Sequence, residues 1–252
     1  AYIQGNTIHD SVYDPGFNPA PPEGIEISHM SVEQPAVLLD NHIYNITDDC
    51  LDLNDSSAYI ERNTMHDCGD KGISVGLPSS TTIVNNIVYN CLGNDDVEYT
   101  GFGIAVKDGA VSRLINNTLV DNRHGLGLYE RHEGRGGPTV TVTNSIIWGN
   151  EIGIELRQNS ALSMTHSLVQ GEAWGDANGS MLWDVDPLFR GRDYHNYRLQ
   201  ETSPCIDSGT PVGAPDVDIW GVARPKGEGI DRGAHEFFEF FSVYLPSVVR
   251  GE

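Results

Sequence analysis

The sequence predicts an all-β chain wound as a right-handed parallel β-helix, a solenoid of about seven coils of ~22 or more residues with an irregular C-terminal capping segment. Three observations predict it. An Asn followed by an apolar pair recurs along most of the chain. Each recurrence leads to a short strand of the form Gly/Cys-apolar-x-apolar. The composition, 28 Gly and 13 Pro with 20% charged residues, suits short strands and turns rather than helices.

Asn6, Asn41, Asn63, Asn86, Asn117 and Asn144 open the copies, and His166 opens a degenerate seventh. The spacings are 35, 22, 23, 31, 27 and 22 residues. A constant minimum with occasional insertions marks a solenoid whose coils carry loops. Asn suits such a turn because it tolerates left-handed backbone angles and its amide can bond the next Asn up the stack.

The strands that follow are Gly24 to Ile27, Cys50 to Leu53, Gly72 to Val75, Gly103 to Val106, Gly125 to Leu128 and Gly153 to Leu156. Strict alternation points Ile25, Leu51, Ile73, Ile104, Leu126 and Ile154 inward and Glu26, Asp52, Ser74, Ala105, Gly127 and Glu155 outward. A second alternating strand follows in AYIERN, TTIVNN, SRLINN, TVTVTN and ALSMTH. Residues 1–170 are expected to form the solenoid, 171–237 its cap and 238–252 a tail. Insertions at 10–23, 92–101 and 130–137 put loops on the rigid stack, where binding usually resides.

The net charge of -21, from 36 acidic and 15 basic side chains, disfavours nucleic acid and anionic membranes as partners. It suits divalent cations. No apolar run approaches the ~18 residues of a membrane span. The chain opens abruptly inside a repeat with no signal peptide, and is expected to be a mature or trimmed piece of a longer precursor. The open first coil is an unpaired edge, which predicts self-association or a covering domain. Cys68 and Cys91 occupy equivalent places on adjacent coils, about 4.8 Å apart, and are expected to stack as buried thiols, with a disulfide as the alternative. His9, His42 and His66 are expected in a stacked structural role.

The repeats resemble those of secreted bacterial polysaccharide lyases. Residues 184–237, with SPCIDSG, DIWGVARP and DRGAHEF, resemble a module found at the end of β-helices before cell-surface anchors. DCGDKGISVG and GIAVKDG are similar to β-helices that accompany spore-coat-protein-H-like domains, and YLPSVVRG resembles a tail of exported Chloroflexi proteins. These resemblances imply a secreted or cell-surface protein.

β-Elimination of an acidic polysaccharide needs a cation to neutralise the uronate, a base to take the neighbouring proton, and an acid or water at the leaving oxygen. Ca²⁺ takes six to eight oxygen ligands, so closely spaced carboxylates are its signature. Asp48-Asp49-Cys50-Leu51-Asp52 resembles the D-D-G-F-D calcium motif of family 9 polysaccharide lyases, with Cys50 and Leu51 departing from it. The resemblance implies Asp48, Asp49 and Asp52 as Ca²⁺ ligands, with Glu26 or Glu23 one coil below as a fourth. It also implies a Lys base about two coils up; Lys107 lies at that offset and Lys71 one coil up. Arg131 is a further catalytic candidate, and Tyr129, Arg135 and Arg157 are candidate polysaccharide-binding residues. The competing reading makes the Asp residues solvated turn caps and Lys71 an ion-pair partner of Asp70 or Asp49. Two alternatives stand beside the lyase: a non-catalytic adhesive surface protein, and a glycoside hydrolase using Glu26 and Asp52.

Overall fold

The computed structural model describes residues 1–252 except 15, 17–19, 77–78, 158, 172–179 and 240–252. Most of the expected tail, part of the first insertion and residues 172–179 of the expected cap therefore lie outside the described residues.

Three parallel sheets run the length of the stack. The first contains Tyr2–Gln4, Ala36–Leu39, Ala58–Glu61, Ser80–Val84, Val111–Ile115, Thr139–Thr143 and Ala161–Thr165. The second contains Thr7–His9, His42–Ile46, Thr64–Cys68, Ile87–Tyr89, Thr118–Val120, Ile146–Trp148, Leu168–Val169 and Leu182–Trp183. The third contains Ile25–Ser28, Leu51–Asn54, Lys71–Gly76, Phe102–Lys107, His124–Tyr129 and Ile152–Leu156. The parallel β-solenoid is the predicted fold. Its coil count differs slightly from seven, since six turns carry a strand in all three sheets.

The alternation has its expected effect. Leu51, Ile73, Ile104 and Leu126 stack in register and are fully buried in one continuous core, with Leu38, Ile60, Ile83 and Leu114 facing them from the first sheet. Burial of this kind stabilises by about 25 cal/mol per Å² of apolar surface.

The Asn turn divides its work between two residues. The left-handed residue is the one before each ladder position: Gly5, Asp40, Arg62, Asn85, Asn116, Asn144 and His166 all have φ between 48° and 67°. The ladder itself runs through Asn6, Asn41, Asn63, Asn86, Asn117, Ser145 and Ser167, each backbone N–H up to Ser145 donating to the side-chain oxygen one coil up, and that of Ser167 donating to the Met181 sulfur. Asn144 and His166 were therefore assigned one residue too early. The hydrogen-bonding member there is a Ser, which carries an acceptor but no amide.

Cysteine pairing also differs from expectation. Cys50 turns inward and forms a disulfide with Cys68. Cys91 is a free, fully buried thiol, pushed well up by burial.

The C-terminal segment does more than close the last coil. Met181 and Trp183 pack on the end of the main core, but the rest runs back along the side of the solenoid. In the lower coils the outward positions of the second sheet are polar or aromatic: Thr7, His9, His42, Tyr44, Thr64 and His66. In the upper coils they become Ile87, Val120, Ile146 and Leu168, and Phe189, Tyr197, Leu199, Cys205, Ile219 and Ala234 cover them. The left-handed column anchors the strap: Asn85, Asn116 and Asn144 donate to the carbonyls of Val217, Asp231 and Thr210 at 2.7–2.8 Å. Within the strap, Arg224 and Glu236 form an ion pair at 2.6 Å with both side chains fully buried.

Candidate active site on the third sheet

The outer face of the third sheet gathers the predicted site. Ile25 pairs with Leu51 and Leu51 with Ile73, so Glu23, Asp49 and Lys71 hold equivalent places in successive coils. Phe102 and His124 continue that column. Glu26, Asp52 and Ser74 form a second column beside it.

Two overlapping carboxylate sets result. Glu23, Asp49 and Asp52 bring one oxygen each to within 4.8 Å of one another, and Asp48, Asp49 and Asp70 do the same. Asp49 belongs to both. The expected quartet is thus split: Asp48 joins the upper set, and Glu23 rather than Glu26 completes the lower one. The reason is the register. Glu26 is exposed on the strand, whereas Glu23 sits at the turn, level with Asp49.

Burial and crowding set the electrostatics. The Glu23 carboxyl is pushed up to about 9, first by burial and then by Asp49, Asp48 and Asp52. Asp49 rises to about 7 through burial, against the opposing pull of Lys71, and burial also raises Asp48. Glu23 Oε2, Asp52 Oδ1, Asp70 Oδ1, Ser74 Oγ and the Tyr129 hydroxyl are buried without a hydrogen-bond partner among the described residues. Leaving such groups unpaired costs ~1–3 kcal/mol each. Crowded oxygen donors with unused lone pairs fit a hard divalent cation such as Ca²⁺.

Two lysines meet this cluster differently. The Lys71 backbone N–H donates to Asp49 Oδ1 at 2.9 Å, and its ammonium bonds Asp70 and reaches Asp49 at 3.4 Å. Burial works against its charge, but Asp49 and Asp70 outweigh burial and hold the ammonium above the usual lysine value. That is the opposite of what a base at neutral pH requires. Lys107 descends over Gly76, where a Cβ would come within 2.8 Å of its Cε. Its Nζ ends 3.9 Å from Asp52 Oδ1, two coils below its own strand.

Above the carboxylates lies an aromatic block. Phe102 lies flat over Gly127, where a Cβ would meet its Cε1 at 2.2 Å. Phe102, Ala105 and Tyr129 are buried together under Tyr99 from the 92–101 insertion. Tyr129, expected to stack on a sugar, is 1% exposed and covered by the Tyr99 ring at 4.5 Å. Tyr99 was missed; only its place in a long insertion marked it. Arg131 and Arg157 lie over the Tyr99 ring, 5.0 and 4.6 Å from its centroid. Arg157 also bonds Glu155. Arg135 is exposed on the 130–136 loop, whose base is fixed by Asp108 accepting from the Arg131 and His132 N–H groups at 2.7 and 2.8 Å. A hollow of about 210 Å³ beside Tyr99 is lined by Arg123, His124, Glu155 and Arg157. In it His124 Nδ1 lies 3.0 Å from Glu155 Oε2, close enough for an ion contact though not aligned as a hydrogen bond. Burial lowers the His124 imidazole more than Glu155 raises it.

The expected His stack is present elsewhere, on the second sheet. His9, Tyr44, His66, Tyr89 and His195 stack in sequence with centroids 4.6–5.0 Å apart. His42 Nε2 meets His66 Nε2 at 2.8 Å.

With this geometry in place, the sequence profile of the right-handed β-helix region matches residues 23–184. The chain belongs to the right-handed β-helix family. Among solved structures, this β-helix protein is similar to the crystal structure of pectate lyase Pel9A. The TM-score is 0.54 at 14% identity, over 93% of this chain and 72% of that one. At that identity the likeness is one of fold. No curated protein matches it in sequence.

Proposed function

We propose that this β-helix protein is an extracellular, Ca²⁺-dependent polysaccharide lyase that cleaves a uronate-bearing polymer by β-elimination. The observation that carries the reading is Lys107, led over Gly76 to the edge of a carboxylate set that still has unpaired buried oxygens. The fold likeness to a protein described as a pectate lyase supports it.

Glu23, Asp49 and Asp52 would hold Ca²⁺, with Asp48 alongside. Bound there, Ca²⁺ would neutralise the substrate carboxylate and so acidify the neighbouring C–H bond. Lys107 Nζ, in its neutral form, takes that proton. The released electron pair forms the C=C bond as the glycosidic C–O bond breaks, and the departing oxygen takes a proton from water. Arg131, Arg135 and Arg157 bind carboxylates of neighbouring sugars, and Tyr99 offers the stacking face that Tyr129 lacks. The disulfide suits an oxidising compartment, in keeping with secretion or display at the cell surface. No helix among the described residues is long and apolar enough to cross a membrane. Hydrolysis has one observation in its favour, the register pairing of Glu26 with Asp52, but Asp52 already accepts from Asn54 and faces Lys107.

The test is incubation with pectate, alginate, chondroitin and heparan chains, with and without Ca²⁺, following ultraviolet absorbance from new C=C bonds. Activity that requires Ca²⁺ is expected on one of them. No rise on any substrate discards the lyase. Lys107→Ala is expected to lower kcat about 10²-fold or more while Ca²⁺ binding persists.

A further inference from the structure

Two carboxylate sets share Asp49, yet they are not equivalent. The lower one, Glu23, Asp49 and Asp52, meets the Lys71 ammonium only through the shared Asp49, and among the described residues its own two members, Glu23 and Asp52, have a single ammonium nearby, that of Lys107, 3.9 Å from Asp52. The upper one, Asp48, Asp49 and Asp70, already contains the Lys71 ammonium, bonded to Asp70 and 3.4 Å from Asp49. Lys71 is 6% exposed, and its strand fixes it from both sides: its N–H donates to Asp49 Oδ1 and its carbonyl accepts from the Cys50 N–H at 2.8 Å. Its place in the column is decisive. Glu23, Asp49 and Lys71 are the same position in three successive coils, so the carboxylate series ends where an ammonium takes the next step.

We propose that Lys71 is a built-in cation that occupies the upper set and restricts the cluster to one divalent ion, held by the lower set. This rests on the reading of the lower set as a Ca²⁺ site. Lys71 is then a positioning residue. It neutralises Asp70 and the upper side of Asp49, leaving Glu23, Asp52 and the rest of Asp49 to the metal. Five carboxylates against two ammonium groups leave three formal negative charges in the cluster, enough for one Ca²⁺ but not for two. Without Lys71 the balance becomes four, and the upper set offers oxygen ligands to a second ion.

The experiment is Ca²⁺ stoichiometry by equilibrium dialysis with atomic emission on the whole chain. Wild type is expected to bind one ion per chain, Lys71→Met two, and Lys71→Met with Asp70→Asn one. Lys71→Met buries unpaired carboxylates and can be marginal without metal. A second measurement therefore follows the thermal midpoint against Ca²⁺ concentration, where the variant is expected to show about twice the wild-type dependence on log concentration. Two ions in wild type, or one or none in Lys71→Met with an unchanged thermal dependence, overturns the proposal. No ion in wild type but one in Lys71→Met supports the role of Lys71 while removing the lower-set Ca²⁺ site, so the two readings fail separately.

Discussion

Asn86 shows how much one side chain can carry in a solenoid. Its Oδ1 accepts from the backbone and side-chain N–H of Asn63 at 2.9 and 3.0 Å, and its Nδ2 donates to Ile60 and Val84 carbonyls and to Asn117. All are buried. Asn86→Ala strands several groups at once, so a loss of at least ~2 kcal/mol is expected in urea denaturation. A second prediction at this scale concerns His42. Burial lowers its imidazole, and the facing His66 and His9 lower it further. Below the ~6.5 of a free imidazole the unfolded chain takes up a proton that folded His42 resists, so stability falls as the pH drops through that value. The thermal midpoint is expected to fall more from pH 7.5 to 5.5 in wild type than in His42→Asn.

Legibility at this scale was uneven for a physical reason. Periodicity locates a turn but does not say which of two adjacent residues is left-handed. Asn85-Asn86 and Asn116-Asn117 read equally well either way, and the shift surfaced only at Asn144-Ser145. Glu23 was named as the alternative to Glu26, and the sequence itself decides between them. Aligning EGIEI on DCLDL places Glu23 level with Asp49, whereas strand alternation drew attention to the outward Glu26. Tyr129 was misjudged because outward on a strand is not the same as solvent-facing when a loop folds over it.

At the scale of single elements, the disulfide joins the two turns that carry the carboxylates. Cys50 lies between Asp49 and Asp52, and Cys68 lies two residues before Asp70. It closes a loop of 18 residues in sequence, which constrains the unfolded chain by about 3 kcal/mol. Cys68→Ser is expected to lower stability by roughly that amount and to weaken the proposed Ca²⁺ binding, because Asp49 and Asp70 lose their common tether. Calorimetric titration with and without a thiol reductant measures the second effect; equal affinities would separate the tether from the site. The strands themselves were legible because apolar alternation is imposed by the core. The disulfide was not, because equivalence along the stack favours Cys68 with Cys91, and the inward turn of Cys50 at its strand entry is a backbone detail.

At the scale of the whole molecule, the parallel β-helix was readable from six copies of one short pattern, and the strap was not. Its docking depends on outward residues, which the repeat leaves free to vary. The signal was the switch from Thr64 and His66 to Ile87, Val120, Ile146 and Leu168 on one face. The Arg224–Glu236 pair is fully buried inside this strap. Removing one partner leaves an uncompensated buried charge, so Glu236→Ala is expected to cost about 3–5 kcal/mol. Limited proteolysis is expected to cut the variant first in residues 205–236, while the lower coils stay protected.

The strap gives the chain a timetable. Coils that stack on their neighbours can form as they are synthesised, and the lower ones have polar flanks that tolerate waiting. The upper coils expose an apolar strip whose cover is encoded as many as 147 residues later, from Ile87 to Ala234. During synthesis that strip stays bare until the last fifth of the described chain emerges. Premature termination therefore yields a protein with a formed lower stack and an adhesive upper flank, a worse outcome than simple shortening of a repeat array.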